Sequence, residues 1–306
     1  MELDEERYAI EQQRKARRGR LTGIALMCAA LACFSCLDTT AKYLNMHMDT
    51  IQTIWARYTS AFVLAFFLFN PLSRPGLLRT KKPFLQFVRS TLLLGSTAAN
   101  FYAINYLQLN QVLSIMFSTP LLVAAVAGPL LGEWIGWRRW VAIAVGFSGV
   151  LLVTRPGAGG IHPAALLAVL GTFCYVFYMI ATRVLSRYDS SETTLFYSNL
   201  VGAVGMSFIV PFVWTTPDSL FIVFLMFVCG AFGSFGHYLL IRGHRLAPAS
   251  TLAPFIYTQI VWTTLLGFLV FNEIPNAWTI SGAAVVIASG LYLLYRERTV
   301  GPRTAS

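Results

Sequence analysis

Ten apolar runs dominate the chain, at 21–44, 50–70, 84–104, 109–131, 137–154, 163–183, 192–213, 219–241, 249–271 and 277–295. At about 1.5 Å per helical residue each is long enough to cross a hydrocarbon core of about 30 Å. The slightest break, NYLQLNQ, lies between the third and the fourth. Two of the runs share one design: 114–133 (SIMFSTPLLVAAVAGPLLGE) and 254–273 (PFIYTQIVWTTLLGFLVFNE) are almost wholly apolar, and both stop at a carboxylate, Glu133 and Glu273. Gly149 and Gly290 follow in matching places, and Tyr106-Leu107 precedes the first stretch where Leu246-Ala247 precedes the second. The pattern therefore predicts one five-span unit used twice, 21–154 and 163–295, behind a polar segment, 1–20. Five is odd, so the second copy must enter the membrane from the side opposite to the first. The expected fold is an all-α polytopic membrane protein of ten transmembrane helices, built as two inverted five-helix repeats about a pseudo-two-fold axis in the membrane plane. The repeats would meet at RPGAGGIHP, 155–163, where Pro and Gly cluster.

Composition agrees with the pattern and excludes a soluble domain. Hydrophobic residues make up 56% of the 306, charged residues 12%, and the mean hydropathy is +0.63. The net charge of +10 would suit nucleic acid, but the bases lie between the apolar runs, as topology signals do, and no nucleic acid is expected. Cytoplasmic termini put nearly all the Lys and Arg on one face. Arg74, Arg79, Lys81, Lys82 and Arg89 cluster between spans two and three, and only Lys42, Arg57 and Arg155 stand apart. The first twenty residues are highly charged and the first run outlasts a signal core, so no cleavable signal peptide is expected. Cys33 and Cys36 have CxxC spacing, yet no second pair or nearby His completes a metal site. Neither a metal nor a cofactor is expected.

Candidate chemistry reduces to polar groups at membrane depth, since the chain has no P-loop, HExxH or GxSxG. Asp38 is the acidic residue well inside a span. Two readings stand side by side: a site for a proton or a substrate ammonium, or an i,i+4 pair with Lys42. Arg57 reads as a snorkelling side chain or a partner of Asp38. Glu133 and Glu273 read as caps that accept N–H groups opening the next helix. His237 lies beside Gly233 and Gly236 and reads as a packed, hydrogen-bonded side chain ahead of a titrating one. Asn100, Tyr102, Tyr175, Tyr178, Tyr238, Tyr257, Gln259 and Trp262 form an apolar-to-amphipathic set suited to lining a small-molecule cavity. In the ninth span the three cannot all point inward, and Tyr257 and Trp262 would form opposite margins of one broad face ahead of Gln259. Pro120 and Pro254 free backbone carbonyls and can interrupt their helices at binding depth.

Lys42 at the end of the first span, Trp55-Ala56-Arg57 (WxR) in the second, an apolar stretch closing on GE or NE before a glycine-spaced helix, and YTQIVWTTLLGFLVFNEIP late in the chain resemble the EamA-domain branch of the drug/metabolite transporter superfamily. The resemblance covers about 22–154 and 163–295 and extends to bacterial inner-membrane exporters of amino acids. It implies a basket of ten helices with a cavity lined mainly by spans one, three, four, six, eight and nine. It places the family's Lys on Lys42 and its Arg on Arg57. In the second unit Arg183 takes the Lys-like place and Ser198 replaces the Arg, so the symmetry is chemically incomplete.

The expected function is secondary transport by alternating access in a bacterial inner membrane, most simply export of neutral or aromatic amino acids, with no enzyme activity. Its partners would be the small-molecule substrate and membrane lipid, with a proton as coupling ion if Asp38 serves that role, and a monomer is the working expectation. A triose-phosphate or nucleotide-sugar exchanger is the alternative within transport. A channel would need a continuous polar lining, and a scaffold would need a centre without a cavity.

Overall fold

A membrane-spanning chain must satisfy its backbone polar groups within each segment, and helices do so. In the computed structural model, which describes residues 2–70, 75–131, 137–154, 162–185, 187–246 and 252–300, all regular structure is helical. The helices are α1 (Glu2–Leu44), α2 (Thr50–Phe69), α3 (Pro83–Ala103), α4 (Leu109–Met116), α5 (Thr119–Leu131), α6 (Trp137–Thr154), α7 (Pro163–Leu185), α8 (Ser191–Ser207), α9 (Leu220–Leu246), α10 (Gln259–Phe271) and α11 (Ala277–Val300), with 3₁₀ turns at Pro75–Leu78, Val210–Phe212 and Ala253–Thr258. Among the described residues five segments are long and apolar enough to cross a membrane unaided: Leu21–Leu44, Thr50–Leu68, Pro163–Thr182, Ser191–Phe212 and Leu220–Gly243. The polar N-terminal stretch continues into the first span as one helix, with no break near residue 20.

Local chemistry sets the ends. Asp49 caps α2 by accepting the Ile51 N–H at 2.7 Å, and Ser190 caps α8 by accepting that of Thr193 at 3.1 Å. Pro83 and Pro163 open α3 and α7, where a missing N–H costs nothing. Asn272, at φ 55°, closes α10 in the left-handed region, and the Glu273 N–H bonds back to the Gly267 carbonyl at 3.0 Å. That turn fixes where the Glu273 carboxylate goes.

The fourth and ninth spans are both interrupted. The fourth breaks between α4 and α5 at Phe117–Ser118, and the ninth passes from 3₁₀ to α geometry between Thr258 and Gln259. Pro120 lies in the first turn of α5 and Pro254 in the opening turn of the 3₁₀ segment. The prolines differ in register, yet the interruptions occupy equivalent places in the two repeats. Phe117 and Tyr257 meet there edge to face, with ring centroids 5.1 Å apart.

Packing between the repeats is reciprocal. α1 packs on α9 as α7 packs on α3, α2 on α9 as α8 on α3, and α1 on α10 as α7 on α5 and α4. Three pairs of corresponding spans also meet one another, the second with the seventh, the fourth with the ninth and the fifth with the tenth, and each of these pairs is antiparallel. From one end of α2 to the other, Trp55 bonds Ser207 of α8, Tyr58 fills the space over Gly202, and Phe62 packs on Phe196. Asn110 reaches Thr264 while Phe117 reaches Tyr257. Gly146 faces Ser289, and Gly149 and Gly282 touch backbone to backbone. Corresponding elements running in opposite directions are what an inverted repeat requires.

Glu133 and residues 155–161 of the segment joining the repeats lie outside the described residues.

Candidate functional site

Helix α3 carries the organising feature. Gln86, Arg89, Ser90, Ser96, Thr97 and Asn100 recur at helical spacing on one face, and the first five are buried. In lipid a polar stripe turns inward, because neighbouring helices are the available partners. Arg89 is 4% exposed, so it lies inside the bundle and not on the charged face where its position in a basic cluster first placed it. Its Nε donates to Thr182 Oγ1 at 2.7 Å, Nη1 to Ser198 Oγ at 2.6 Å and to the Thr194 carbonyl at 3.3 Å, and Nη2 to the Tyr178 hydroxyl at 2.8 Å. The guanidinium carbon also stands 4.4 Å from the Tyr178 ring centroid. Ser198 marks the second-repeat position that lacks the Arg, and Arg89 reaches that position from α3. The missing cation is supplied by another helix.

Next to this network, Arg57, Ala61, Leu93, Tyr178, Leu195, Ser198, Asn199, Gly233, Ser234 and His237 enclose a cleft. It is contributed by α2 and α3 of the first repeat and by α7, α8 and α9 of the second. Its free space of about 10 Å³ holds roughly one water. Arg57 Nη1 donates to Thr97 Oγ1 at 3.3 Å, Thr97 also bonds the Tyr58 hydroxyl at 2.9 Å, and the guanidinium lies 4.5 Å from the Tyr58 ring centroid. Asp38, half-buried on α1, is within electrostatic reach of Arg57. His237 packs edge-on against Phe34 at 4.9 Å and makes no hydrogen bond among the described residues, so the packing part of its expected role is present without the bond.

The cleft is shut from both ends by bonds between the repeats. At the end bearing the α1–α2 loop, Lys42 pairs with Glu273 and donates to the Leu107 carbonyl at 2.9 Å. Lys42 therefore serves Glu273 and not Asp38, since the left-handed turn at Asn272 brings the Glu273 carboxylate back to it. Glu273 also accepts the Leu109 N–H at 3.2 Å, so the N–H it meets opens α4 of the other repeat and not the helix that follows Glu273. Gln52 exchanges two bonds of 2.8 Å with the Thr215 backbone. At the opposite end Asp189 accepts from the Thr80 hydroxyl, from the Lys81 N–H at 3.0 Å and from Gln86 Nε2 at 2.9 Å. Partial burial alone would raise its pKa, but these three bonds and the Lys81 charge more than offset that and hold it below the ordinary value.

Of the residues singled out for a cavity lining, Tyr178 and His237 line this cleft, with Arg57 from the structural group. Tyr175 stacks on Tyr178, with ring centroids 5.4 Å apart. Asn100 turns to the Ser96 carbonyl beside Gly171, at the α3–α7 contact. Tyr102 is half-buried near the α3–α4 loop. Tyr238 is 44% exposed and stacks loosely with Arg242, clear of the cleft. In the ninth span the orientation is the reverse of the expected one for two residues: Gln259 is buried and Trp262 is 39% exposed, while Tyr257 is buried against Phe117. Spans one, four and nine leave no opening at this cleft because they are bonded together, Ser35 to Thr263 at 3.0 Å and Asn110 to Thr264 at 3.1 Å. Asn199 and Arg89 were absent from the sequence-based set; the helical-period polar stripe on α3 was the signal for Arg89.

Two interlocked repeats around an occluded polar cleft define a multi-pass carrier of small metabolites. The sequence profile of the EamA-like transporter family matches residues 21–155 and 162–296, and the chain belongs to that family. It is similar to the S-adenosylmethionine uptake transporter of Rickettsia conorii, 29% identical over 280 residues covering 91% of this chain and 94% of the relative. It is also similar to the riboflavin transporters of Vibrio cholerae, 25% identical over 90% of this chain and 94% of the relative, and of Rhizobium johnstonii, 26% identical over 90% and 92%. A solved crystal structure superposes with a TM-score of 0.63 at 17% identity, covering 92% of this chain and 99% of that one, a likeness of fold.

Proposed function

We propose that this protein exchanges zwitterionic metabolites with a bulky or aromatic body across a bacterial inner membrane by alternating access, with both termini cytoplasmic. Substrates of this class include the larger neutral amino acids and S-adenosylmethionine, whose amino-acid head group is a zwitterion and whose body adds a sulfonium. One observation carries the reading: a polar cleft lies between the repeats and is closed at each end by a different set of inter-repeat bonds. Releasing either set opens the cleft to one side only, which is the condition for a carrier. The substrate class rests on charge. Arg57 lines the cleft beside Tyr178, and Asp38, outside that lining, lies within electrostatic reach of it, so a zwitterion offers its carboxylate to Arg57 and turns its ammonium toward Asp38. The relatives named for S-adenosylmethionine support that class, and their uptake activity makes the direction of net flux a matter of gradients. The phosphate-sugar alternative needs several free cations, yet Arg89 already donates to Thr182, Ser198, Thr194 and Tyr178.

Counterflow in liposomes tests this with S-adenosylmethionine, phenylalanine, methionine, riboflavin and a nucleotide sugar as the panel. Saturable exchange of the zwitterions is the expected result. Exchange of riboflavin or the nucleotide sugar with none of the zwitterions would overturn it.

A further inference from the structure

Arg57 and Asn199 stand out in the cleft because they are buried and unsatisfied. Arg57 is 8% exposed, and among the described residues its one hydrogen bond is the 3.3 Å contact of Nη1 to Thr97; Nε, on the opposite edge of the guanidinium, has no partner. Asn199 is 7% exposed, its Nδ2 is unpartnered, and its side chain makes no hydrogen bond among the described residues. Buried donors are nearly always paired, and a guanidinium Nε–H left idle in a low-dielectric interior is costly. Both residues line the same cleft, from α2 and α8, hence one from each repeat. The edge that carries Nε is also the one that grips a planar carboxylate with two parallel bonds. Gly233 leaves that edge open: a Cβ there would lie 3.8 Å from Nε and 3.9 Å from Leu37, ordinary contacts that fill the space without collision.

We propose that Arg57 and Asn199 form the subsite for the substrate's carboxylate, with the Nε edge of Arg57 and the Asn199 amide donating to its oxygens. The anion is a carboxylate and not a phosphate, since Arg57 offers one guanidinium edge to one negative charge and every guanidinium nitrogen of Arg89 already donates within the protein. This assignment rests on the zwitterion reading above and names the group by which the cleft recognises it. The bond to Arg57 Nη1 leaves the guanidinium anchored, so the empty edge is preorganised for a ligand.

The test uses the full chain in liposomes, exchanging labelled S-adenosylmethionine against three external competitors: the compound itself, its methyl ester and its decarboxylated analogue. The wild type should bind the two that lack a free carboxylate about 10- to 100-fold more weakly, the usual weight of a charge-assisted bond in a buried site. In Asn199→Asp, which places a negative charge where the carboxylate would sit, and in Gly233→Ala, which fills the space over Nε, that discrimination should fall below about threefold. Equal competition by all three compounds in the wild type overturns the proposal. Undiminished discrimination in both folded variants overturns it too, by placing the carboxylate elsewhere. A second readout separates the subsite from the choice of substrate: the thermal stabilisation of the purified protein by phenylalanine and by phenylalaninamide. Stabilisation by the acid alone, lost in Asn199→Asp, upholds the subsite even where S-adenosylmethionine is not exchanged. Equal shifts with acid and amide count against it.

Discussion

Lys42 and Glu273 close one end of the cleft through a pair in which each member has a second partner, the Leu107 carbonyl for one and the Leu109 N–H for the other. Removing one charge leaves the other partly buried without its counter-ion, which typically costs about 3 kcal/mol. Lys42→Met should therefore lower the unfolding temperature markedly, and the double variant Lys42→Met with Glu273→Met should be less destabilised than the sum of the single changes; additive losses in a thermal melt would show that the two do not act as a pair. At the other end Asp189 supplies a pH-dependent term. Its folded pKa is depressed, so its contribution is complete above the ordinary value of 3.8 and is lost as the pH falls through the depressed one. Wild type and Asp189→Asn should differ by about 1 kcal/mol at pH 7, given its partial exposure, and converge in acid below that range. A gap that persists at low pH, read by thermal melts across the range, would refute the assignment. Individual roles of this kind were only partly legible in the sequence. Arg57 and His237 could be flagged because charge or imidazole at membrane depth is costly, but the partners of Lys42 and Glu273 lie 231 residues apart along the chain, and nothing local announces them.

The ten apolar runs translate almost directly into helices, because a lipid solvent leaves the backbone few alternatives. What the runs do not encode is rotation about each axis. α10 is apolar nearly all round, so its sequence carries no polar contrast to say which side faces in, and Trp262 and Gln259 end on the sides opposite to those expected. α3 does carry such contrast, and its polar stripe points at the centre. Close helix contacts make a further prediction. A methyl on Gly282 would lie 2.6 Å from the Gly149 carbonyl oxygen, and one on Gly149 would lie 2.8 Å from that of Gly282. Backbone cannot yield as a side chain can, so Gly282→Ala should cost about 2 kcal/mol and reduce folded yield, while Gly76→Ala, with nothing within 4 Å, should be silent. Equal behaviour of the two variants in size-exclusion and melting profiles would contradict the tight α6–α11 contact.

The bonds at the two ends make a joint prediction for the whole carrier. In a chain freed of its native cysteines, Gln52→Cys and Thr215→Cys joined by a short reducible crosslinker should abolish exchange, and reduction should restore it, because that end can then no longer open. Full exchange in the crosslinked protein would mean that the α1–α2 end stays shut throughout the cycle. Orientation is tested separately: single cysteines at 214–218 should react with an impermeant reagent outside intact cells, and those at 76–82 should not. The reverse labelling would turn the molecule over in the membrane.

The interruptions of the fourth and ninth spans place two soft joints back to back, with Phe117 and Tyr257 in contact between them. A joint on an axis that interchanges the two ends has no intrinsic side, so it works as a toggle: the same flexure serves either position. The resting bias must then come from whatever breaks the likeness of the halves, above all Arg57 facing a serine at its counterpart and Arg89 reaching across to that serine. Evolution can thus reset which way such a molecule idles by altering single polar side chains, leaving its hinge untouched.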